Sequence, residues 1–147
     1  MMLTVEDVYK IMSSLYELGL EWCLGPETLL KVIRGEELNT LDIAVCYSDI
    51  EQVRANFDKL RELNITKVFM VPYGGFSRRC VYVRALPCIS VEDAVLSVIV
   101  KENCEYFNVV KKLLEHSKNN LDMTYLRVMC ERLGICDVLC SSLGLCL

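Results

Sequence analysis

The segment Leu41–Cys46, reading LDIAVC, carries one polar side chain, Asp42, in an otherwise apolar run. A strand with one wet face alternates apolar and polar residues. This one does not, so it belongs near the centre of a sheet that is covered on both faces. Such a sheet needs helices packed on it, and the rest of the chain is patterned to supply them.

Thr4 is placed to cap a first helix, with Glu6 and Asp7 suiting the dipole of its first turn. Val5, Val8, Ile11/Met12, Leu15 and Leu18 form its apolar stripe, and Gly19 ends it. Residues 21–24 read as a short strand. Gly25-Pro26 then opens a second helix, with proline in a permitted first-turn position, and that helix stops near Gly35. After the buried strand, Ser48 starts a third helix with the stripe Ile50, Val53, Phe57 and Leu60. Ile65–Val71 and residues 80–85 read as two strands forming a hairpin through Pro72-Tyr73-Gly74-Gly75. Ser90 and Asp93 mark a capped helix start. Three helices follow, over 90–101, 104–117 and 122–133, the last with Leu126, Met129, Cys130 and Leu133 on one face. The order predicts a single α/β domain over 1–135, with a core over 1–88, C-terminal helices over 89–135 and a Cys-containing tail over 136–147.

The chain has 147 residues, enough for one domain with a real core. No apolar run approaches the roughly 18–20 residues of a membrane span, and the start lacks the basic and apolar regions of a signal peptide. The expectation is a cytoplasmic protein with no membrane contact. A net charge of −4 argues against a general nucleic-acid-binding surface. The charge is uneven, because between Leu63 and Val91 there is no acid, only Lys67, Arg78, Arg79 and Arg84. None of the nine cysteines makes a C-x2-C pair. Cys23, Cys46, Cys80, Cys104 and Cys130 fall on faces read as buried, where a free thiol acts as a small hydrophobe. Cys136, Cys140 and Cys146 leave two readings open, free thiols like the others or disulfides that staple the tail to the body.

Three segments together resemble the small nucleotidyltransferase-fold family of abortive-infection and antitoxin type. Residues 35–45, GEELNTLDIAV, are similar to its G…T-x-D-I-D metal-binding strand. Residues 89–101, ISVEDAVLSVIVK, and 121–135, LDMTYLRVMCERLGI, look like two of its later helices. The resemblance covers about 22–135 and implies a nucleotidyltransferase-like mixed sheet flanked by helices, with a helical C-terminal half. In that family a D-x-D pair on one strand face holds Mg²⁺ on a nucleoside triphosphate, and a glycine-rich turn opens a helix whose N–H groups cradle the phosphates. Asp42 is the surviving acid, and Ala44 stands in its partner's place. Gly25 is kept, but Pro26 offers no N–H. No acid lies in 80–85, where Arg84 stands near the expected third carboxylate. Glu105 and Asn108 replace the acids of a K-D-x-x-D helix.

One carboxylate cannot hold two metals, so the resemblance implies a fold that has lost its catalytic centre. Asp42 is then a vestigial catalytic residue, and Gly25, Thr40, Arg78, Arg79 and Arg84 are what is left to bind a nucleotide. The expected function is a binding or regulatory module, antitoxin-like, with a protein partner, a possible nucleotide ligand and no cofactor. The alternative is a divergent Mg²⁺-dependent transferase that moves a nucleotide onto a protein, RNA or small-molecule hydroxyl. It would use Asp42 with a recruited Glu27 or Glu37. A disulfide-stabilised protein of a hyperthermophile is compatible with either, since intracellular disulfides are otherwise uncommon. His116 reads as a helix C-terminal residue, Tyr73-Gly74-Gly75-Phe76 as a turn opening a strand, and Cys23 as an inert buried thiol.

Overall fold

The computed structural model describes residues 2–147. Helix α1 (Val5–Glu17) leads into β1 (Trp22–Leu24), α2 (Pro26–Ile33) and β2 (Leu41–Cys46). A 3-10 turn over Tyr47–Asp49 precedes α3 (Ile50–Ala55) and α4 (Phe57–Glu62), which lead to β3 (Ile65–Val71). A second 3-10 turn, Phe76–Arg79, is followed by β4 (Val81–Val83) and β5 (Leu86–Cys88). The chain closes with α5 (Val91–Val100), α6 (Cys104–Ser117), α7 (Met123–Leu133) and α8 (Cys136–Leu143). No helix among the described residues is long and apolar enough to cross a membrane.

The five strands form one mixed sheet in the order β3-β2-β1-β5-β4. β1 runs antiparallel to β2 and parallel to β5, and β2 runs parallel to β3. All six residues of β2 are buried, as its composition requires. Asp42, Ala44 and Cys46 share one face of β2. Leu41, Ile43 and Val45 fill the other, with at most 1% exposure. On the Asp42 face, Phe69 of β3 meets Tyr106 of α6 edge-on, with ring centroids 4.8 Å apart. α2 and α6 therefore lie over Asp42, and the first turn of α2 is brought down onto the head of β2.

Several sequence expectations are corrected. The hairpin is not β3 with the following strand, since β3 and β4 lie on opposite edges of the sheet. It is β4 with β5, closed by Arg84 and Ala85 at φ 52° and 66°. Two consecutive positive φ values define a type I′ turn, whose twist matches the flanking strands. The expected strand over 80–85 is thus split by its own turn. Phe76–Arg79 is a 3-10 turn, so the Gly74-Gly75 segment does not open a strand. The continuous helix after Ser48 is broken at Asn56, and Phe57 is 43% exposed, with the Arg61 guanidinium 4.7 Å above its ring. Val5 is likewise exposed and lies outside the buried stripe of α1.

The cysteines are also rearranged. Cys130 is fully buried but bridged to Cys136, and Cys140 is bridged to Cys146. Cys104 is exposed at the start of α6 rather than buried, and Cys80 is half-buried, while Cys23, Cys46 and Cys88 are buried free thiols. The segment expected only as a Cys-containing tail is helical over Cys136–Leu143.

Candidate functional site

Helix α2 begins at Pro26, and its N-cap, Gly25, has no side chain with which to cap. The missing acceptor arrives from β2. Asp42 accepts hydrogen bonds from the N–H of Glu27 (3.0 Å) and of Thr28 (2.8 Å), and from the Thr28 hydroxyl (2.6 Å). Its Oδ2 also accepts from the Tyr106 hydroxyl at 2.9 Å. The Asp42 N–H donates to Thr28 Oγ1 at 3.1 Å, and the Gly25 N–H donates to the Asp42 carbonyl at 2.8 Å. Pro26 has no N–H to satisfy, so Glu27 and Thr28 supply the donors that a helix start leaves open. A carboxylate there also meets the positive end of the helix dipole.

Gly25 is required for space rather than for an unusual dihedral, since its φ is −81°. A Cβ at this position would stand 2.3 Å from Asp42 Oδ2 and 2.5 Å from Cγ. Backbone and carboxylate are in direct contact, with no gap for a ligand between them. Asp42 is 3% exposed. Burial pushes its pKa above the ordinary value, while its four donors pull the other way. Burial, reinforced by the charge of Asp42, also lifts Tyr106 above its usual range and pushes Cys88 up to about 12. At the rim, Lys67 pairs with Glu27 at 3.0 Å and with Glu105 at 3.5 Å. Glu27 also lies 3.8 Å from Lys31.

The other anticipated nucleotide-binding residues are dispersed. Thr40 is half-buried in the bend before β2, and its hydroxyl makes no hydrogen bond among the described residues. Arg84 projects from the β4–β5 turn towards Gly35, where an added Cβ would meet Nη2 at 3.3 Å. It lines a cleft of about 260 Å³ with Glu36, Glu37 and Leu38. That cleft is at the C-terminal end of α2 and Asp42 is at its N-terminal end, about 12 Å away by the rise of eight helical residues. Arg84 therefore does not stand where a third acid would complete the Asp42 site, and Glu37 is equally remote. Arg78 is exposed, with no ion pair among the described residues. His116 is exposed in the last turn of α6.

Arg79 is committed elsewhere, to a cluster that the sequence did not disclose. Asp93, fully buried in the first turn of α5, accepts from Arg79 Nε at 3.1 Å and Nη2 at 3.0 Å. It also accepts from Tyr73 (2.5 Å), Tyr125 (2.6 Å) and the Ser90 hydroxyl (2.8 Å). The Arg79 guanidinium lies 4.4 Å above the Tyr125 ring. Burial first, then the Asp93 charge, raises Tyr73 above its normal range. A third carboxylate, Glu21, accepts from the Gly75 N–H at 2.9 Å and from the Ser77 hydroxyl at 2.7 Å. Ser90 and Asp93 gave a helix-start signal, but nothing in their spacing announced partners 14 to 32 residues away.

Both turns suited to hold an anion, the first turn of α2 and the Gly75 loop, are thus filled by a carboxylate of the chain itself. Among the described residues no three His, Cys, Asp or Glu side chains converge as metal ligands. No protein-family model, no curated protein and no solved structure matches the chain.

Proposed function

We propose that this chain is a nucleotidyltransferase-like domain that works without transferase chemistry, as a binding or regulatory module directed at a protein partner, in the manner of an antitoxin. The observation that carries the reading is the position of the Asp42 carboxylate. It occupies the head of α2, where the resemblance puts the nucleotide's phosphates, and both of its oxygens are engaged by four donors. To ligate Mg²⁺ it would have to abandon those donors, leaving the start of α2 uncapped. Glu27, the nearest acid in sequence to that turn, is turned towards Lys67 and Lys31.

The test is a thermal-unfolding series with ATP, with and without Mg²⁺. Ligand stabilisation follows RT ln(1 + [L]/Kd), so millimolar nucleotide registers any site tighter than about a millimolar. The expected result is the same melting temperature with Mg²⁺·ATP as with ATP alone. A Mg²⁺-dependent rise that Asp42→Asn abolishes would establish the transferase alternative instead.

A further inference from the structure

The C-terminal segment is held to the body of the protein in an unusual way. Among the described residues, every hydrogen bond of residues 136–147 outside regular helix pairing stays within 130–147. Examples are Leu139 N–H to the Ile135 carbonyl, Gly144 to Cys140, and Leu145 to Leu139. No ion pair among the described residues reaches this segment, and Asp137 in its first turn pairs with nothing. Its attachment is apolar packing plus one covalent bond. Of the α8 side chains only Leu139 is fully buried, while Val138 is 45% exposed. Clefts open on both flanks of α8. One of about 470 Å³ is lined by Leu114, Leu121, Leu143 and Leu145, and one of about 720 Å³ by Val98, Phe107, Leu133 and Val138.

Two disulfides reinforce this attachment, one joining the start of α8 to α7 and one folding the tail back onto the middle of α8. Cys136 at the start of α8 is bridged to Cys130 of α7, and Cys140 in the middle of α8 is bridged to Cys146 of the tail. We propose that α8 is a redox-controlled strap: reduction of Cys130–Cys136 unties its start from α7, reduction of Cys140–Cys146 frees the tail folded back on it, and α8 then leaves the surface formed by α5, α6 and α7, joining the flanking clefts. The step needs a dithiol. Its thiolate attacks one sulfur of a bridge and forms a mixed disulfide, and its second thiol closes onto the first and leaves as the oxidised dithiol. Two electrons and two protons pass to each bridge, giving two cysteine thiols. Cys146 is exposed and Cys136 half-buried, so each bridge presents one sulfur to the reductant, whereas Cys130 is buried. Reduction acts on these two bonds alone, because the five remaining cysteines are free thiols.

Each bridge closes a short loop, with a sequence separation of 6. Loop-closure entropy for about seven residues corresponds to about a 50-fold effect on the opening equilibrium per bridge. The experiment is native-state hydrogen exchange on the full chain, purified without reductant and then compared with and without dithiothreitol. Thiol counting in denaturant should first give five free cysteines, rising to nine after reduction. On reduction, exchange of the amides of 136–145 should accelerate by at least about 50-fold, while those of β1, β2 and β3 keep their protection. Cys136→Ser and Cys146→Ser, which leave the less exposed sulfur of each bridge in place, should each reproduce part of the acceleration without reductant. Nine free thiols in the protein as purified would overturn the proposal. So would unchanged exchange over 136–145, or loss of protection in the sheet in step with α8.

Discussion

Replacing Asp42 by Asn or Ala separates two roles that a buried acid on a central strand could have. An acid kept for a metal is an unneutralised buried charge when the metal is absent, so removing it leaves the chelated protein unchanged or more stable. An acid that caps α2 behaves oppositely. In Asp42→Asn the carbonyl can take the place of Oδ1 and keep both Thr28 bonds. The amide then faces the Glu27 N–H, donor against donor, in the position of Oδ2. The Tyr106 hydroxyl can rotate to accept, but the Glu27 N–H cannot. One orphaned, largely buried donor costs about 1–3 kcal/mol. Asp42→Ala removes the acceptor for all four donors and leaves a small cavity, so about 3–5 kcal/mol is expected. Urea unfolding in chelator, with the slope held constant across the variants, measures both values. Two neutral or stabilised variants would refute the capping role and the function built on it.

The same pair of proteins has a pH signature. Burial raises the folded-state pKa of Asp42 above its ordinary value of 3.8. Its linked contribution is therefore fully present below pH 3.8 and is lost as the pH rises through the raised folded value. The stability gap between wild type and Asp42→Asn should be widest at the acid end and narrow to a plateau above it; a gap that widens as pH rises would contradict this. Gly25→Ala drives a methyl group into the Asp42 carboxylate, 2.3 Å from Oδ2, and should destabilise by about 2–4 kcal/mol, which thermal unfolding would detect. A loss under about 1 kcal/mol would mean that the carboxylate moves freely. Ala44 is fully buried on β2, in register with Cys23 and Phe69, so Ala44→Asp should cost about 3–5 kcal/mol in chelator. Recovery of that loss by Mg²⁺ or Mn²⁺ would show that positions 42 and 44 can still form a metal site. Arg79→Met removes the cation paired with Asp93 and should cost about 3–5 kcal/mol, whereas Tyr73→Phe, which deletes one of several donors, should cost about 1 kcal/mol in the same denaturation assay.

Helices α1, α2, α5, α6 and α7 and the central strand were legible because each is set by local pattern. Proline at the first turn of α2, the uninterrupted apolar run of β2 and the stripe of α7 all mean in the fold what they mean in sequence. The missed features depend on what lies across the molecule or on an atypical residue. A type I′ turn ordinarily advertises itself with Asn-Gly, and Arg84-Ala85 carries no such mark. The break at Asn56 was hidden under a continuous stripe, because Phe57 leaves the core and packs under Arg61. Asp42 was visible as the odd residue in its strand, but its partners, Thr28 and Tyr106, are 14 and 64 residues away. The family resemblance implied a metal strand; the packing of α2 and α6 makes the residue a cap.

The Asp93 cluster bears on which parts of this chain could stand alone. Its members come from the segment after β3 (Tyr73 and Arg79), from the start of α5 (Ser90 and Asp93) and from α7 (Tyr125). A fragment cut at residue 88 would keep Tyr73 and Arg79 without their acceptor. The complementary helical fragment would keep a carboxylate without its cation. Asp42 crosses the same divide through Tyr106. The sheet and the helical half are thus each other's missing ligands, and the expected unfolding is one concerted transition in which neither half survives the other's loss.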